Sequence, residues 1–380
     1  MADKKISELI SITGASLDKS TDVIPVVDTS SGETKKITVS ELFIGGSDFD
    51  EDITVNDVTV GRGSGDVSSN TVLGNGALEN NTTGINNVAN GYQALLDNTT
   101  GGSNVASGFQ ALRDNITGSS NVANGFRALL DNTTGSSNVA SGHLALLNNT
   151  TGNNNVASGH QALYSNTTGN SNVATGTSAL YSNTTGINNV ATGTNALRSN
   201  TAGSNNTATG TNSLFNNTTG SNNVASGFQA LYVNTTGINN VATGTNALFK
   251  NTTGSSNTTS GHQSLFNNTT GINNTAGGFQ ALYSNTGGSY NCSYGRSALS
   301  TNTTGSYNTA LGYDADALST TADNQIAIRA GDTKWYSSAG SPEGVLTAGV
   351  GSMYTRTDGG TGTTLYVKET GTGNTGWVAK

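Results

Sequence analysis

Apolar and polar positions along this chain keep neither a helical nor a long-strand rhythm; over most of the chain they return every 17 residues. Between residues 70 and 312, Ala106, Ala123 and Ala140 form one column, and Leu112, Leu129 and Leu146 another. Two glycine columns run in step with them. One passes through Gly101, Gly118 and Gly135 to Gly305; the other runs from Gly74 through Gly108 and Gly125 to Gly312, which makes 15 copies. The consensus is N-T-T-G-x-x-N-V-A-x-G-x-x-A-L-x-x. Self-similarity at a fixed period is the mark of stacked units rather than of separate globules. Seventeen residues are too few for two helices and a turn. β-Branched residues punctuated by Gly and Asn predict short strands, NVAxG and xxALx, joined by tight turns. Parallel pairing of each copy with the next gives an all-β protein, a parallel β-solenoid of about 15 coils, roughly 70 Å long at ~4.8 Å per coil.

The fixed columns predict how a coil holds together. Alanine and leucine positions that tolerate one size fit a narrow, close-packed interior. The glycines fit turns that need positive φ or close backbone approach. Asn98, Asn115 and Asn132 are expected to stack as an amide ladder along the axis, with Thr99 and Thr133 at an exposed edge. Two columns vary. One follows the second glycine: Tyr92, Phe109, Phe126, His143, His160, Thr177, Thr194, Phe228, His262 and Phe279. The other follows the leucine: Leu96, Arg113, Leu130, Tyr164, Tyr181, Arg198, Phe215, Tyr232, Lys250 and Phe266. Variation inside a fixed repeat places these side chains outside the narrow core. An exposed apolar stripe marks an interface, and Tyr92, Phe109, Phe126, Tyr164, Tyr181, Phe228, Tyr232 and Phe279 are the candidates for a homotrimer contact.

Other rhythms flank the array. Residues 1–45 read as a small module: Ile6, Leu9 and Ile10 at helical spacing, a strand over 22–27, a turn at Ser30, Ser31 and Gly32, a returning strand over 36–39, and a short helical turn after Ser40. A module this small needs a partner to complete its core. Residues 46–69 are a transition, with an acidic cluster (Asp48, Asp50, Glu51, Asp52) before a strand-like ITVNDVTVG. The cluster lacks the glycine and terminal glutamate of a calcium loop, so a solvated acidic loop is the reading. The shaft with its capping coil covers 70–332. Residues 333–380 form a second module, a β-hairpin of Ser352–Thr357 and Thr363–Lys368 around a glycine turn, with both tryptophans, Trp335 and Trp377.

Composition narrows the function classes. The chain has 380 residues, of which 33% are hydrophobic and 11% charged, with 51 glycines and 2 prolines. Glycine without proline fits repeated tight turns rather than a disordered linker. A net charge of −8 with no basic cluster argues against nucleic acid as partner. The N-terminus, MADKKISELI, does not read as a secretory signal, and no run has the ~20 apolar residues of a membrane helix. Cys292, the single cysteine, shares a column with Val105 and Thr309 and reads as a small hydrophobe. His143 and His160 fall one coil apart, within reach of a shared metal, but no cysteine or carboxylate column joins them. No Ser–His–Asp arrangement, carboxylate pair or phosphate loop is evident, so the expectation is no enzyme, no metal and no cofactor. Threonines near Thr175, Thr192, Thr209 and Thr243 evoke a water-ordering face, but His and Phe interrupt it. The N-x-T sequons at Asn98, Asn132 and Asn166 read as ladder positions rather than glycan acceptors.

Segments such as NVASGFQALYVNTTGINNVATGTNAL resemble the head repeats of trimeric autotransporter adhesins and the related repeats of bacteriophage tail fibres. The resemblance covers residues 70–312 and departs in period, the adhesin coil being shorter. It implies a left-handed parallel β-roll that trimerises side by side. DKKISELISITGASLDKSTDVIPVVDTSSGETKKITVSELF resembles the N-terminal segment of phage virion fibre proteins, and SPEGVLTAGVGSMYTRTDGGTGTTLYVKETGTGNTGW a C-terminal module of phage tail proteins. Together they imply a phage tail fibre, assembled in the host cytoplasm and located on the virion. Its N-terminus is expected to dock on a tail or baseplate protein. Its tip would bind a host-surface polysaccharide or protein without catalysis or membrane insertion, with Tyr354, Arg356, Asp358, Tyr366 and Trp377 as contact candidates; the alternative for these five is that they only hold the hairpin module together. The alternatives are a purely structural spacer or capsid decoration fibre, and a cellular surface adhesin.

Overall fold

A computed structural model describes the backbone of Val23–Val27 and Thr34–Thr38 and residues 52–65, 67–360 and 364–380. The helical segments expected near Ile6–Ile10 and after Ser40, the turn at Ser30–Gly32 and the acids Asp48, Asp50 and Glu51 lie outside the described residues. The chain forms two compact units, residues 1–53 and 54–380. In the first, β1 (Val23–Val27) pairs antiparallel with β2 (Thr34–Thr38), as the two hydrophobic runs predict.

The second unit is a β-solenoid. Fifteen three-residue strands, β5 (Thr71–Leu73) to β19 (Thr309–Leu311), recur every 17 residues. Each pairs in parallel and in register with the next: Val105↔Val122, Ala106↔Ala123 and Ser107↔Asn124 are representative. The stack does not close on itself, because fifteen rungs at ~4.8 Å separate its first and last strands by roughly 70 Å. Within a strand the middle residue points in and its neighbours out, so Ala106 is fully buried while Val105 is exposed.

Each coil has one strand, not two. The expected strand xxALx is a tight turn, with Gln110 at φ +53° and Leu112 at φ +53°. A 17-residue coil must reverse direction sharply to return to its starting point; Gln110 and Leu112 make this turn, and Ser103, at φ +59°, is left-handed at another. Left-handed backbone costs a residue with a Cβ about 1–2 kcal/mol. The Leu112 side chain is wholly buried, which returns about 1.5–3 kcal/mol. The turn stays bonded between coils: Leu112 N–H donates to Ala128 O at 2.9 Å, and Asp114 N–H to Leu130 O at 3.0 Å.

Close approach explains the two glycine columns. A Cβ on Gly108, at φ +137°, would lie 2.4 Å from Gly125 O, and one on Gly101 would lie 2.3 Å from Gly118 O. The apolar part of the interior is made of three columns. Ala106, Ala123 and Ala140 face Leu112, Leu129 and Leu146 as expected, all at 0% exposure, and a second alanine column, Ala111, Ala128 and Ala145, completes it. Where a hydroxyl replaces a methyl it bonds locally: Ser213 donates to Gly210 O at 2.9 Å and Ser293 to Ala298 O at 2.7 Å.

Both ends of the array are covered. β3 (Ile53–Val55) and β4 (Val58–Gly61) flank Asn56 and Asp57, both at positive φ, as a two-residue hairpin loop requires. The single strand expected over this stretch is therefore two. β4 pairs antiparallel with β5 and caps the first coil. At the far end β20 (Ile326–Ala330) pairs in parallel with β19 and adds a rung. The sheet then continues without a break through β21 (Thr333–Ser338), β22 (Met353–Arg356), β23 (Leu365–Lys368) and β24 (Trp377–Ala379). The predicted hairpin is β22–β23, and Trp377 opens a third strand beside it.

Candidate interaction surface

The surface of the shaft is a set of columns fixed by the buried ones beneath. Asn115 Nδ2 donates to Asn98 Oδ1 at 2.7 Å and to Gly118 O at 2.9 Å, and the pattern repeats coil by coil. A second amide ladder, through Asn87, Asn104 and Asn121, has a different geometry. Asn104 Nδ2 donates to Gly118 O, and Asn87 Oδ1 accepts the Asn104 N–H, both at 2.9 Å. The repeat consensus contains this asparagine, but its ladder role is not legible there, because an Asn repeated beside a strand also fits a turn. Thr99 and Thr133 hydroxyls donate to carbonyls of the next coil, Ile116 O and Thr150 O. Asn98, Asn132 and Asn166 are fully buried with both amide hydrogens used, so none offers a nitrogen to a glycan.

In-register coils bring the variable side chains face to face. In the column after the second glycine, Tyr92, Phe109, Phe126, His143 and His160 stack in sequence with centroids 5.1–5.3 Å apart. Tyr92, Phe109, Phe126, Phe228 and Phe279 are 40–48% exposed. In the column after the leucine, Tyr164 stacks on Tyr181, and Phe215, Tyr232, Phe249, Phe266 and Tyr283 form an unbroken run. These rings are half-buried. Phe249 takes the rung assigned above to Lys250, which stands one position further along the coil. Arg198 fills the gap between Tyr181 and Phe215, with its guanidinium carbon 5.2 and 5.7 Å from their centroids. Arg296 lies likewise between Phe279 and Tyr313, at 5.5 and 5.6 Å.

His143 and His160 are parallel rings 5.2 Å apart. Their faces rather than their lone pairs meet. Among the described residues no three His, Cys, Asp or Glu side chains converge as metal ligands. Acidic groups cluster on the early coils. Arg113 is held by Asp114, with Nη2–Oδ2 at 2.9 Å. Burial first, then the charge of Asp114, raises the Asp131 carboxyl above its ordinary value.

At the C-terminal module three of the five contact candidates turn inward. Tyr354, Tyr366 and Trp377 are 1, 9 and 6% exposed and pack edge to face as the module's core. Tyr354 Oη donates to Ala339 O at 2.9 Å, and Trp377 Nε1 to Leu346 O at 3.0 Å. A five-stranded sheet with no helix over it has few apolar residues to bury, and its aromatics serve that need first. Arg356 and Asp358 remain at the surface. Arg356 Nε donates to Asp358 Oδ1 at 3.0 Å, which with the Gly340 N–H holds that carboxyl down to about 2. Trp335, on β21 opposite Met353, is 41% exposed.

The fold defines a class: the chain is a β-solenoid repeat protein. No protein-family model matches it, and neither a curated protein nor a solved structure does. Among the described residues no helix is long and apolar enough to cross a membrane.

Proposed function

We propose that this chain is the shaft and tip of an adhesive phage tail fibre, which holds a virion to a host-surface polysaccharide or protein by non-catalytic, multivalent contact. The observation that carries the reading is the unbranched rod with exposed ring columns continuous over successive coils. A rod separates an anchor from a contact surface, and a side chain repeated every coil multiplies a weak contact into avidity. Side-by-side association into a homotrimer would cover the exposed Tyr92–Phe126 stretch, which is larger than a scatter of single apolar residues. The N-terminal module would dock on another virion protein.

Sedimentation and small-angle scattering of the full chain test the assembly. A three-chain mass with a rod-like profile is expected; a compact monomer overturns the trimer. Binding of fluorescently labelled protein to candidate host cells tests the adhesion. The inward-facing tip aromatics favour a second reading, in which the C-terminal module only caps the rod and the chain is a spacer. Arg356→Ala/Asp358→Ala separates the two: it lowers cell binding if the tip makes contact and leaves it unchanged if the module is a cap.

A further inference from the structure

The column after the leucine contains two arginines with opposite fates. Arg113 is spent on Asp114. Arg198, five coils on, is held between Tyr181 and Phe215, and its side chain has no hydrogen bond or ion pair to any described residue. The rings cover both faces of the guanidinium and leave its N–H edge unspent. The column beside it is acidic near Arg113, with Asp97, Asp114 and Asp131, but near Arg198 it reads Ser182, Ser199 and Asn216. Three coils further along that second column stands Lys250, exposed, its ammonium 5.4 Å from the Phe266 centroid. No Asp or Glu occurs between Asp131 and Asp314, whereas Arg198, Lys250 and Arg296 do. A chain of net charge −8 thus has a shaft segment of ten coils with only positive formal charge.

We propose that this segment is an anion-binding face and that its ligand is a carboxylate-bearing polysaccharide. A planar guanidinium fixed by stacking presents parallel N–H donors in the geometry a carboxylate accepts, with little ordering left to do on binding. The neighbouring serines and Asn216 supply the neutral donors and acceptors a sugar hydroxyl needs. Lys250 extends the cationic row along the axis, so a linear polyanion laid parallel to the rod meets more than one cation. A second copy of this chain is the poorer occupant, since its own shaft offers no carboxylate over the same coils.

The inference rests on the adhesive-fibre reading and gives the glycan its chemistry. The test uses the full chain on immobilised polygalacturonate, dextran sulfate and neutral dextran. Arg198→Tyr and Lys250→Asn insert residues that already occupy these columns in adjacent coils, so the fold is kept. Wild type is expected to prefer polygalacturonate to neutral dextran and to release it at about 1 M salt, where the Debye length is ~3 Å. R198Y/K250N is expected to lose about tenfold in affinity, and R113L to lose none. Equal binding by R198Y/K250N and wild type overturns the inference and leaves the fibre reading standing. Binding to dextran sulfate without polygalacturonate overturns the carboxylate assignment. A compact monomer that binds no glycan overturns the fibre reading itself.

Discussion

Asn132 donates to Asn115 across the coil boundary, Nδ2 to Oδ1 at 2.7 Å, inside a core that solvent does not reach. Each such amide also bonds the glycine carbonyl three residues on, so removing one takes a bond from several partners at once. Asn132→Ala leaves Asn115 Oδ1, Gly135 O and Asn149 Nδ2 with a bond missing. Asn115 Oδ1 is left without a donor, at a cost of about 1–3 kcal/mol, while Gly135 O keeps Asn121 Nδ2 and Asn149 Nδ2 keeps Gly152 O, so each of these loses one bond of about 1 kcal/mol. The expected result is a loss of roughly 3 kcal/mol or more, read by thermal unfolding. Hydrogen exchange should show protection falling first in the coils around residue 132, because solenoid stability is a sum over neighbours.

Gly125→Ala asks whether the glycine column is there for space. Its Cβ would stand 2.5 Å from Gly142 O, in a backbone at φ +141°. Neither can relax without moving the coil above. Disrupted register at that rung is expected, seen as exchange of the Val122–Asn124 and Val139–Ser141 amides at near-unprotected rates. A variant as protected as wild type would refute the close-approach account.

Asp131→Asn is expected to stabilise. The folded carboxyl is raised above 3.8, chiefly by burial and then by Asp114. A folded state that binds the proton more tightly than the unfolded one loses stability as pH rises through that window. The substitution, with Asn148 one coil on as precedent, should therefore raise the melting temperature at pH 7. The gain should vanish below the unfolded value of 3.8, where both states are protonated.

Phe109→Thr/Phe126→Thr tests the exposed rings. Thr177 and Thr194 already occupy this column, so the fold is expected to survive. The two rings are 40 and 41% exposed. If they form the contact between chains, the sedimenting mass falls toward that of one chain; an unchanged oligomer removes this column from the interface.

The resemblance to fibre repeats and the 17-residue columns led to the same architecture by different routes. The period alone gave the coil, the register and the core, because a residue recurring at Ala106, Ala123 and Ala140 without change in size can only sit where space is fixed. The amide ladder at Asn98 was legible for the same reason. The turn at Leu112 was not. Leucine has no preference for left-handed backbone, and its conformation is imposed by the need to bring the coil back over Leu95 while burying the side chain. For Tyr354, Tyr366 and Trp377 the choice between core and contact is open in the sequence for a related reason: an aromatic in a hairpin reads alike whether it closes a core or meets a partner, until the strands are paired. By itself the sequence determined the repeat, its packing columns and the two variable ones. Only the tertiary structure decided that Arg198 stands between two rings and that Arg113 meets an acid. Stacking places residues 17 apart within 5–6 Å, and which neighbour a charge finds depends on the coil above as much as on its own.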